Sequence, residues 1–328
     1  MRDHNALMED TRSFMKSRVI LTAAELGFFT RLHEKPATAE ELAGILELDP
    51  RATTRVLDVL VTMDMLEKQD GRYGVTDEGA YFSSRHPETV LPMVMHLNTL
   101  WTTWSSLTEI VRKGSNEQEK PGTIFEDESR KAFIGAMHVA GRGLSKEIAD
   151  GYDLSRFKRL LDIGGASGTY TIAVLKKNPG MTGILFDLAG VIPMAKERIG
   201  EEGLLDRVEL AIGDFYEDEL PIGCDLALLS AIIHQNSNAE NIELYRKIFR
   251  ALDPGGAVLI RDHVMDESRT SPAGGAFFAL NMLVNTRAGD TYTFGEIKES
   301  LETAGFTDVK WLRGGERMDG LVEARKPL

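Results

Sequence analysis

The residues with the clearest chemical potential lie in the string LDIGGASGT at positions 161–169. An apolar run leads into these glycines and a helical pattern follows them, which predicts a strand, a tight turn and a helix. Ligands of open α/β sheets bind beyond the carboxyl ends of the strands, where Gly164, Gly165 and Gly168 would let the backbone approach closely. The dinucleotide spacing Gly-x-Gly-x-x-Gly and the Gly-Lys-Ser/Thr of a phosphate-binding loop are both missing from this string.

Asp162, two residues before the first glycine, gives this turn an acidic context. A carboxylate there would repel a pyrophosphate placed at the N-terminus of the following helix. It suits a ligand that carries a cationic amine, such as the methionine end of S-adenosylmethionine. The string therefore favours a sulfonium nucleoside over a dinucleotide.

Two more acids follow the next two predicted strands. Asp187, followed by Leu188, ends one strand, where an acid can accept hydrogen bonds from both ribose hydroxyls; the alternative is an acid that caps the next helix. Asp214 lies between Gly213 and Phe215 after the third strand, where its carboxylate could accept from an adenine amino group while Phe215 borders the ring. Three acids after three successive strands indicate a nucleoside site.

A histidine, His234, follows the fourth predicted strand. A phenol or enol oxygen with a pKa of about 10 is a poor nucleophile at neutral pH until a base removes its proton. Histidine titrates in the range that suits this task. Methyl transfer itself is an in-line displacement at a sulfonium methyl, so positioning supplies much of the remaining acceleration. Without further context, a single histidine after a strand is more often structural.

The elements that must position these residues alternate between strands and helices from Lys158 onward. The predicted strands are 159–163, 183–186, 208–211, 226–229 and 257–260, with a later pair near 309–312 and 321–324. The predicted helices are 171–177, 191–199, 239–251 and 294–304. The first five strands are short apolar runs without alternation, as expected for parallel strands covered on both faces. The pattern predicts a Rossmann-like, doubly wound α/β sheet.

The N-terminal part follows another pattern, an amphipathic helix from about Met8 to Phe29, a capping box at 38–41 and a further helix from 49–50. Two short extended pieces then flank an Asp-Gly turn within 66–75. Helices followed by a hairpin predict a winged-helix domain. Residues 1–100 carry 11 Lys/Arg and 16 Asp/Glu, a difference of -5, which disfavours nucleic-acid binding. Dimerisation through the first helix is the favoured use.

The segment between these parts reads as helical from Leu91 to about Asp150, with a loop around Pro121-Gly122. Trp101 and Trp104 recur on one helical face, where they could line a substrate cavity or pack between domains. The predicted organisation is a dimerisation domain at 1–100, a helical connector at 101–150 and a catalytic domain at 151–328.

Bulk properties agree with two globular domains, given 328 residues, a net charge of -13 and 42% hydrophobic residues. The single cysteine, Cys224, excludes an internal disulfide and a cysteine-rich zinc site. No signal-peptide core and no apolar window of about 18 residues are present, so a cytoplasmic location without membrane contact is expected.

Taken together, these motifs resemble the plant-type small-molecule O-methyltransferase family, which has many bacterial members. The resemblance spans nearly the whole chain and includes the winged helix, the Trp101/Trp104 region and the glycine-rich string. It continues through FDL at 186–188, GDF at 213–215, LDPGG at 252–256, NML at 281–283 and TAGF at 303–306. It implies a class I methyltransferase fold, S-adenosylmethionine as cofactor with S-adenosylhomocysteine as product, a homodimer and no metal. The base after the fourth strand would be His234.

The chain departs from that family at several positions. Members commonly carry His-Asp-Trp where this chain has HQN at 234–236, and often a lysine at Ser230, a position expected to contact the cofactor. The carboxylate that orients the base falls on Asp262, where glutamate is more usual. A second family glutamate falls near Asp290 or Thr291, and the register between these two stays open. A member with lost or altered methyl transfer is therefore an alternative.

The expected acceptor is a small hydroxylated molecule, aromatic or polyketide-like, and the sequence leaves oxygen, nitrogen and carbon open as the methylated atom. The residues predicted to line its pocket are Met137, His138, Phe278, Asn281 and Met282. Asn281 and Met282 match family positions that face the acceptor, whereas His138 could equally be a surface or core histidine. The rival functions are a cofactor-sensing winged-helix regulator and a nicotinamide-dependent oxidoreductase.

Overall fold

The computed structural model describes residues 3–114 and 127–328. The chain divides into two compact units, Met1–Thr102 and Thr103–Leu328. Most of the predicted connector therefore belongs to the second unit, and the separate boundary at 150 stays a prediction. The predicted loop around Pro121-Gly122 lies outside the described residues. In the described part of the chain, no helix is long and apolar enough to cross a membrane.

The first unit contains helices followed by a hairpin, in the order that the sequence predicts. Its elements are α1 (His4–Glu25), α2 (Phe28–Glu34), α3 (Ala39–Leu46), α4 (Pro50–Thr62), β1 (Leu66–Gln69), β2 (Arg72–Val75), α5 (Asp77–Ala80) and most of α6 (Leu91–Ser105). The predicted capping box is confirmed, because Glu41 N donates to Thr38 Oγ1 and Thr38 N donates to the Glu41 carboxylate. The predicted hairpin is also confirmed, with β1 and β2 antiparallel.

The prediction of one continuous first helix to Phe29 is wrong. Gly27 has a φ of 74°, a left-handed conformation that suits glycine, and it separates α1 from α2. The break lets Phe28, Phe29 and Leu32 of α2 enter the core of this unit, where each is 1% exposed. The first half of α1 stays exposed, including Phe14 at 53%.

The second unit is an α/β layer structure. Its helices are α7 (Leu107–Lys113), α8 (Asp127–Gly151), α9 (Thr169–Lys177), α10 (Ile192–Glu201), α11 (Asn238–Ala251), α12 (Ala273–Asn285) and α13 (Phe294–Thr303). Its strands are β3 (Arg159–Ile163), β4 (Thr182–Asp187), β5 (Val208–Ile212), β6 (Cys224–Ser230), β7 (Leu252–Asp262), β8 (Val264–Met265), β9 (Tyr292–Thr293), β10 (Thr307–Arg313) and β11 (Gly320–Arg325). All seven predicted strands lie within observed strands, and the four predicted helices match to within two residues; α12 was not predicted as a helix.

The central sheet has seven strands in the order β10-β11-β7-β6-β3-β4-β5. Strands β3 to β7 pair in parallel, whereas β11 runs antiparallel to β7 and to β10. Two cores cover its faces, one with α11 and α13 and the other with α8, α9 and α10. The predicted Rossmann-like, doubly wound fold is confirmed.

This topology explains where a site must form. The chain moves from β3 outward to β4 and β5, and then returns to the other side of β3 with β6 and β7. The strand order therefore reverses at β3, and crevices of α/β sheets open at such a switch point beyond the carboxyl ends of the strands. The predicted acids and the predicted base all follow, or lie at, the carboxyl ends of these parallel strands.

Candidate active site

The glycine-rich turn after β3 is tightly packed against its neighbours. Gly164 has a φ of 67°, and a Cβ built on it would lie 2.8 Å from Ile232 Cδ1. A Cβ on Gly165 would lie 2.7 Å from Leu185 Cγ. Gly168, at a φ of 79°, is the residue from which α9 begins. Side chains at these positions would clash with buried residues, so the turn presents bare backbone, as the sequence predicts.

Asp162 lies beneath this turn. Its side chain accepts a hydrogen bond of 2.6 Å from Thr171 Oγ1, and the residue is 2% exposed. Burial, together with the charge of Asp187, raises the pKa of Asp162 to about 6. Its carboxylate is therefore mostly ionised at neutral pH, in a buried position that the sequence does not reveal.

Asp187 connects the tip of β4 to the same turn. Its two carboxylate oxygens accept hydrogen bonds from Ala166 N at 2.8 Å and from Leu188 N at 2.7 Å. The alternative of a helix cap is not observed, since Val191 is the N-cap of α10 and no side chain caps it. Each carboxylate oxygen has a second lone pair that can accept a ribose hydroxyl. Burial raises the pKa of Asp187, and the charge of Asp214 acts in the same direction.

The loop after β5 carries the third acid. Asp214 Oδ1 accepts from Tyr216 N at 2.9 Å, which folds the loop into a turn. A Cβ on Gly213 would lie 2.5 Å from the Phe186 ring, so β4 and this loop pack with no room for a side chain there. Phe215 Cε1 lies 3.5 Å from the position of a Cβ on Gly164, which places the Phe215 ring beside the glycine-rich turn.

A partly buried His234 is paired with a buried Asp262. A short 3₁₀ turn after β6, Ile233–Gln235, carries His234, whose Nδ1 lies 3.0 and 2.9 Å from the two carboxylate oxygens of Asp262 at the end of β7. The side chains are 12% and 1% exposed. An ionised Asp262 accepts from Nδ1–H, so the neutral imidazole keeps its lone pair on Nε2.

The charge of Asp262 is held in place by its surroundings. Burial raises its pKa, but His234, Arg261 and the His263 N–H outweigh burial and keep the pKa of Asp262 below its usual value. His263 N donates to Asp262 Oδ1 at 2.8 Å. Asp262 is therefore an acceptor at the pH values where a base is needed.

Neither candidate for the second family acid, Asp290 or Thr291, is bonded to the His234 ring, so the register between them stays open. Asp290 N donates to the His234 carbonyl at 2.9 Å, but the Asp290 carboxylate faces Arg269 at 3.3 Å. Thr291 is buried, and its hydroxyl contacts Gly275 O. Within 3–114 and 127–328, Asp262 is thus the one carboxylate bonded to the His234 ring.

Ser230, the position where the family often has lysine, is next to a cation that the sequence reasoning missed. Its Oγ accepts a hydrogen bond of 2.9 Å from Arg261 Nε, and the two residues are paired across β6 and β7. Arg261 is 8% exposed and stacks over the Tyr170 ring at 5.0 Å. A charged residue inside an apolar parallel strand was the available signal, because such a residue is costly unless it is partnered.

Helix α12 brings predicted acceptor residues to the base. The Phe278 ring meets the His234 ring edge-on at 4.8 Å and lies 5.2 Å from the His263 ring. Asn281 Oδ1 accepts from Trp104 Nε1 at 2.9 Å, which fixes that tryptophan. Met282, on the same helix, is buried. Neither His263 nor the Trp104–Asn281 bond was predicted.

The other two predicted acceptor residues, Met137 and His138, lie on α8. His138 Nδ1 is 2.9 Å from Thr169 Oγ1, and Nε2 is 2.7 Å from Arg198. Because arginine only donates, Nε2 accepts and Nδ1–H donates. Burial and the charge of Arg198 lower the pKa of His138 to about 4, so this ring is neutral. His138 thus links α8 to α9 and α10, while Met137 is half-buried.

Comparisons with known proteins identify the family of the chain. Residues 104–307 match the O-methyltransferase domain and residues 8–85 match the O-methyltransferase dimerisation domain. The chain belongs to this O-methyltransferase family. It is an S-adenosylmethionine-dependent methyltransferase with a class I fold.

Similar proteins come from bacteria and animals. The chain is 31% identical to the tetracenomycin polyketide synthesis 8-O-methyl transferase of Streptomyces glaucescens, over 100% of this chain and 98% of the relative. It is 30% identical to the 3-hydroxy-5-methyl-1-naphthoate 3-O-methyltransferase of Streptomyces sahachiroi, over 91% and 88%. The crystal structure of human N-acetylserotonin methyltransferase in complex with SAM is similar at a TM-score of 0.87 and 25% identity, with 100% and 99% of the two chains covered.

The residues of this chain fit the cofactor. A Cβ at Gly164 would clash with Ile232 and one at Gly213 with Phe186, so both positions keep bare backbone. Asp187 and Asp214 border this backbone, called here the nucleoside cradle, with carboxylates that retain acceptor capacity, and the buried Asp162 adds negative charge beneath. A cationic nucleoside matches this set of carboxylates, whereas a phosphate, which is itself negatively charged, does not.

Proposed function

We propose that the chain methylates a hydroxyl oxygen of a small aromatic or polyketide-like acceptor, with His234 as the general base. The observation that carries the proposal is the pairing of His234 Nδ1 with both oxygens of a buried Asp262, at 3.0 and 2.9 Å. This pairing fixes the tautomer whose Nε2 can take a proton.

In the proposed reaction, His234 Nε2 takes the proton of the acceptor hydroxyl, and Asp262 stabilises the imidazolium that forms. When bound, the cofactor supplies an electrophilic methyl group on a sulfonium centre. An acceptor oxygen deprotonated by His234 would then take this methyl group, and the electron pair of the broken carbon–sulfur bond would stay on sulfur. Asp187, Asp214 and Phe215 would hold the nucleoside, so that the methyl lies in line with the oxygen.

The acceptor class is supported by the residues near the base and by the relatives. Phe278 presents an aromatic ring beside His234, while Trp104 and Asn281 add an aromatic surface and an amide on the same side of α12. The names of the two Streptomyces relatives give a polyketide and a hydroxynaphthoate as their acceptors. The hydroxynaphthoate is a hydroxylated aromatic ring.

The proposal includes a homodimer formed through the first unit. The match to a dimerisation domain at 8–85 supports it, and so do the exposed apolar side chains of Leu7, Phe14 and Met15 on α1, each more than half exposed. An apolar helix face of this kind gains free energy when a second copy covers it.

The test is a methylation screen with the purified full chain. S-Adenosylmethionine and pooled hydroxylated aromatic compounds are incubated with the protein, and mass spectrometry scores a gain of one methylene. Matched pools of the corresponding amines and of O-protected compounds identify the methylated atom. Methylation of hydroxyl compounds alone, lost in His234→Ala, is expected. Methylation of the protected or amine pools, or binding of S-adenosylhomocysteine without any product, would overturn the proposal.

A further inference from the structure

The Tyr216 hydroxyl joins two loops that the proposed reaction uses separately. Tyr216 belongs to the loop 213–218, called here the nucleoside loop, and its ring lies 4.5 Å from that of Phe215. Its hydroxyl donates to Asn236 Oδ1 at 2.6 Å, and the Gln235 side chain is hydrogen-bonded to the same hydroxyl. Gln235 and Asn236 are the two residues that follow His234 in the segment 233–236, called here the base loop.

Asn236 is a fully buried anchor for the base loop. It is 0% exposed, and its Nδ2 donates to Asn241 Oδ1 at 2.9 Å. Asn241 Nδ2 in turn donates to the Ile233 carbonyl at 2.9 Å. The Tyr292 hydroxyl donates to the Asn236 carbonyl. A buried network whose members are all bonded holds one geometry, and the loss of one member leaves a polar group unpaired.

The nucleoside loop is held by α11, the helix that also carries Asn241. Lys247 Nζ on α11 donates to the carbonyls of Phe215, Tyr216 and Asp218 at 3.0, 2.9 and 2.8 Å. Because α11 also carries Asn241, both loops are anchored to one rigid element. The Tyr216 hydroxyl, bonded to Asn236, then links the two anchored loops directly.

The acceptor side contacts the base loop on another flank. Asp290 N donates to the His234 carbonyl at 2.9 Å, and a Cβ on Gly289 would lie 2.5 Å from that carbonyl oxygen. Residues 289–292 follow α12, the helix that carries Phe278. The base loop thus lies between the nucleoside loop and the segment that follows the acceptor-side helix.

We propose that Tyr216 is a positioning residue, which transmits occupancy of the nucleoside site to the base loop and so fixes His234 for the acceptor. A ligand that orders Phe215 restrains the adjoining Tyr216 ring, and the hydroxyl passes this restraint to Gln235 and Asn236. Such coupling means that the free energy of opening the base loop differs between the chain with the ligand bound and the chain without it. That His234 is the base rests on the proposed function, whereas the link between the loops does not.

The experiment measures hydrogen exchange of peptides covering 232–241, with and without S-adenosylhomocysteine and with no acceptor present. In the wild-type chain the nucleoside slows exchange in this segment. In Tyr216→Phe the ring is kept, so calorimetry gives a dissociation constant within about twofold of wild type, while the nucleoside-dependent slowing falls by about fivefold, the worth of one hydrogen bond. Slowing at 164–168 persists in both proteins.

Tyr292→Phe is the matched control, because it removes a hydroxyl bonded to the same Asn236 from the acceptor side. It speeds exchange in both states but keeps the ratio between them. Gln235→Leu, at a half-buried position, is expected to reproduce part of the Tyr216→Phe effect, because the Tyr216 hydroxyl acts through both Gln235 and Asn236. An unchanged ratio in Tyr216→Phe, or an equal loss of the ratio in Tyr292→Phe, overturns the inference.

The kinetic arm uses an acceptor found by the methylation screen. Tyr216→Phe is expected to lower kcat about fivefold while KM for S-adenosylmethionine stays within about twofold, since the ring that borders the nucleoside remains. A rise in KM alone overturns the positioning role. Because the exchange arm needs no acceptor, a chain that proves unable to methylate leaves the link between the loops testable.

Discussion

Removal of the proposed base tests the chemistry of the site at a predictable magnitude. In His234→Ala the acceptor must lose its proton to solvent. An acceptor hydroxyl with a pKa of about 10 is ionised in roughly one molecule in 1000 at pH 7, so the rate should fall about 1000-fold, or ~4 kcal/mol. The variant should then recover about tenfold per pH unit up to pH ~10, because the solution phenolate replaces the missing base.

Replacement of Asp262 by Asn is expected to lower the rate less than removal of His234 does. The change removes the charge that lies 2.9 and 3.0 Å from His234 Nδ1. A hydrogen bond to a charged group contributes about 1.5–3 kcal/mol, which corresponds to about a 10- to 150-fold lower kcat. The new amide can also donate to Nδ1 and favour the tautomer whose Nε2 carries the proton, which adds to the loss.

The assay follows initial rates from pH 6 to about pH 10 at saturating S-adenosylmethionine, with the acceptor identified by the screen. S-Adenosylhomocysteine binding, measured by calorimetry, should stay within about twofold, since neither residue borders the nucleoside cradle. His4→Ala, at an exposed position of α1, is the matched control and should behave as wild type. A His234→Ala variant that keeps more than about a tenth of the rate at pH 7, or that shows no rise with pH, would refute the base assignment.

Three further outcomes are expected. Burial raises the pKa of Asp162 to about 6, so its ionisation opposes folding as pH rises from about 4 to 6. Asp162→Asn should therefore remove up to ~3 kcal/mol of that pH dependence, and the reasoning is wrong if urea unfolding at pH 4.5 and 7.5 gives the same change in unfolding free energy for the variant as for wild type. Gly213→Ala places a Cβ 2.5 Å from a buried ring and should weaken S-adenosylhomocysteine binding at least about tenfold by calorimetry. Gly180→Ala, whose Cβ would meet only Asn178 Oδ1 at an ordinary contact distance of 4.0 Å, should not. Phe14→Glu should shift sedimentation towards a monomer, while Lys16→Glu on the same helix should leave the dimer intact.

The sheet and the nucleoside cradle could be predicted because their signals are local. Short apolar runs that end in glycine or an acid define parallel strands and their tips within a few residues, and β3 was predicted to the residue. The cradle follows from the topology, since the tips of parallel strands meet at one edge. The first helix was misread for a local reason too, because Gly27 could end a helix or separate two.

The environment of the base could not be predicted, because its contacts join residues that are distant in sequence. Trp104 and Asn281 are 177 residues apart, and Tyr292 and Asn236 are 56 apart. Periodicity indicates which face of a helix is buried but not which partner it meets. The same limit hid Arg261, whose role is visible only once β6 and β7 are paired and Ser230 is found opposite it.

The charges around the cradle also bear on how the site distinguishes cofactor from product. Asp187 raises the pKa of Asp162, and Asp214 raises that of Asp187, so the three carboxylates repel one another. Arg261 relieves this repulsion only in part, since its positive charge also stabilises the ionised carboxylate of Asp262. A sulfonium cation at the strand tips offsets the remaining repulsion, whereas the thioether left after transfer does not, because it is neutral. We therefore expect electrostatics to favour the methyl donor over its product, and this preference should weaken as the pH falls through about 6 and Asp162 takes up a proton.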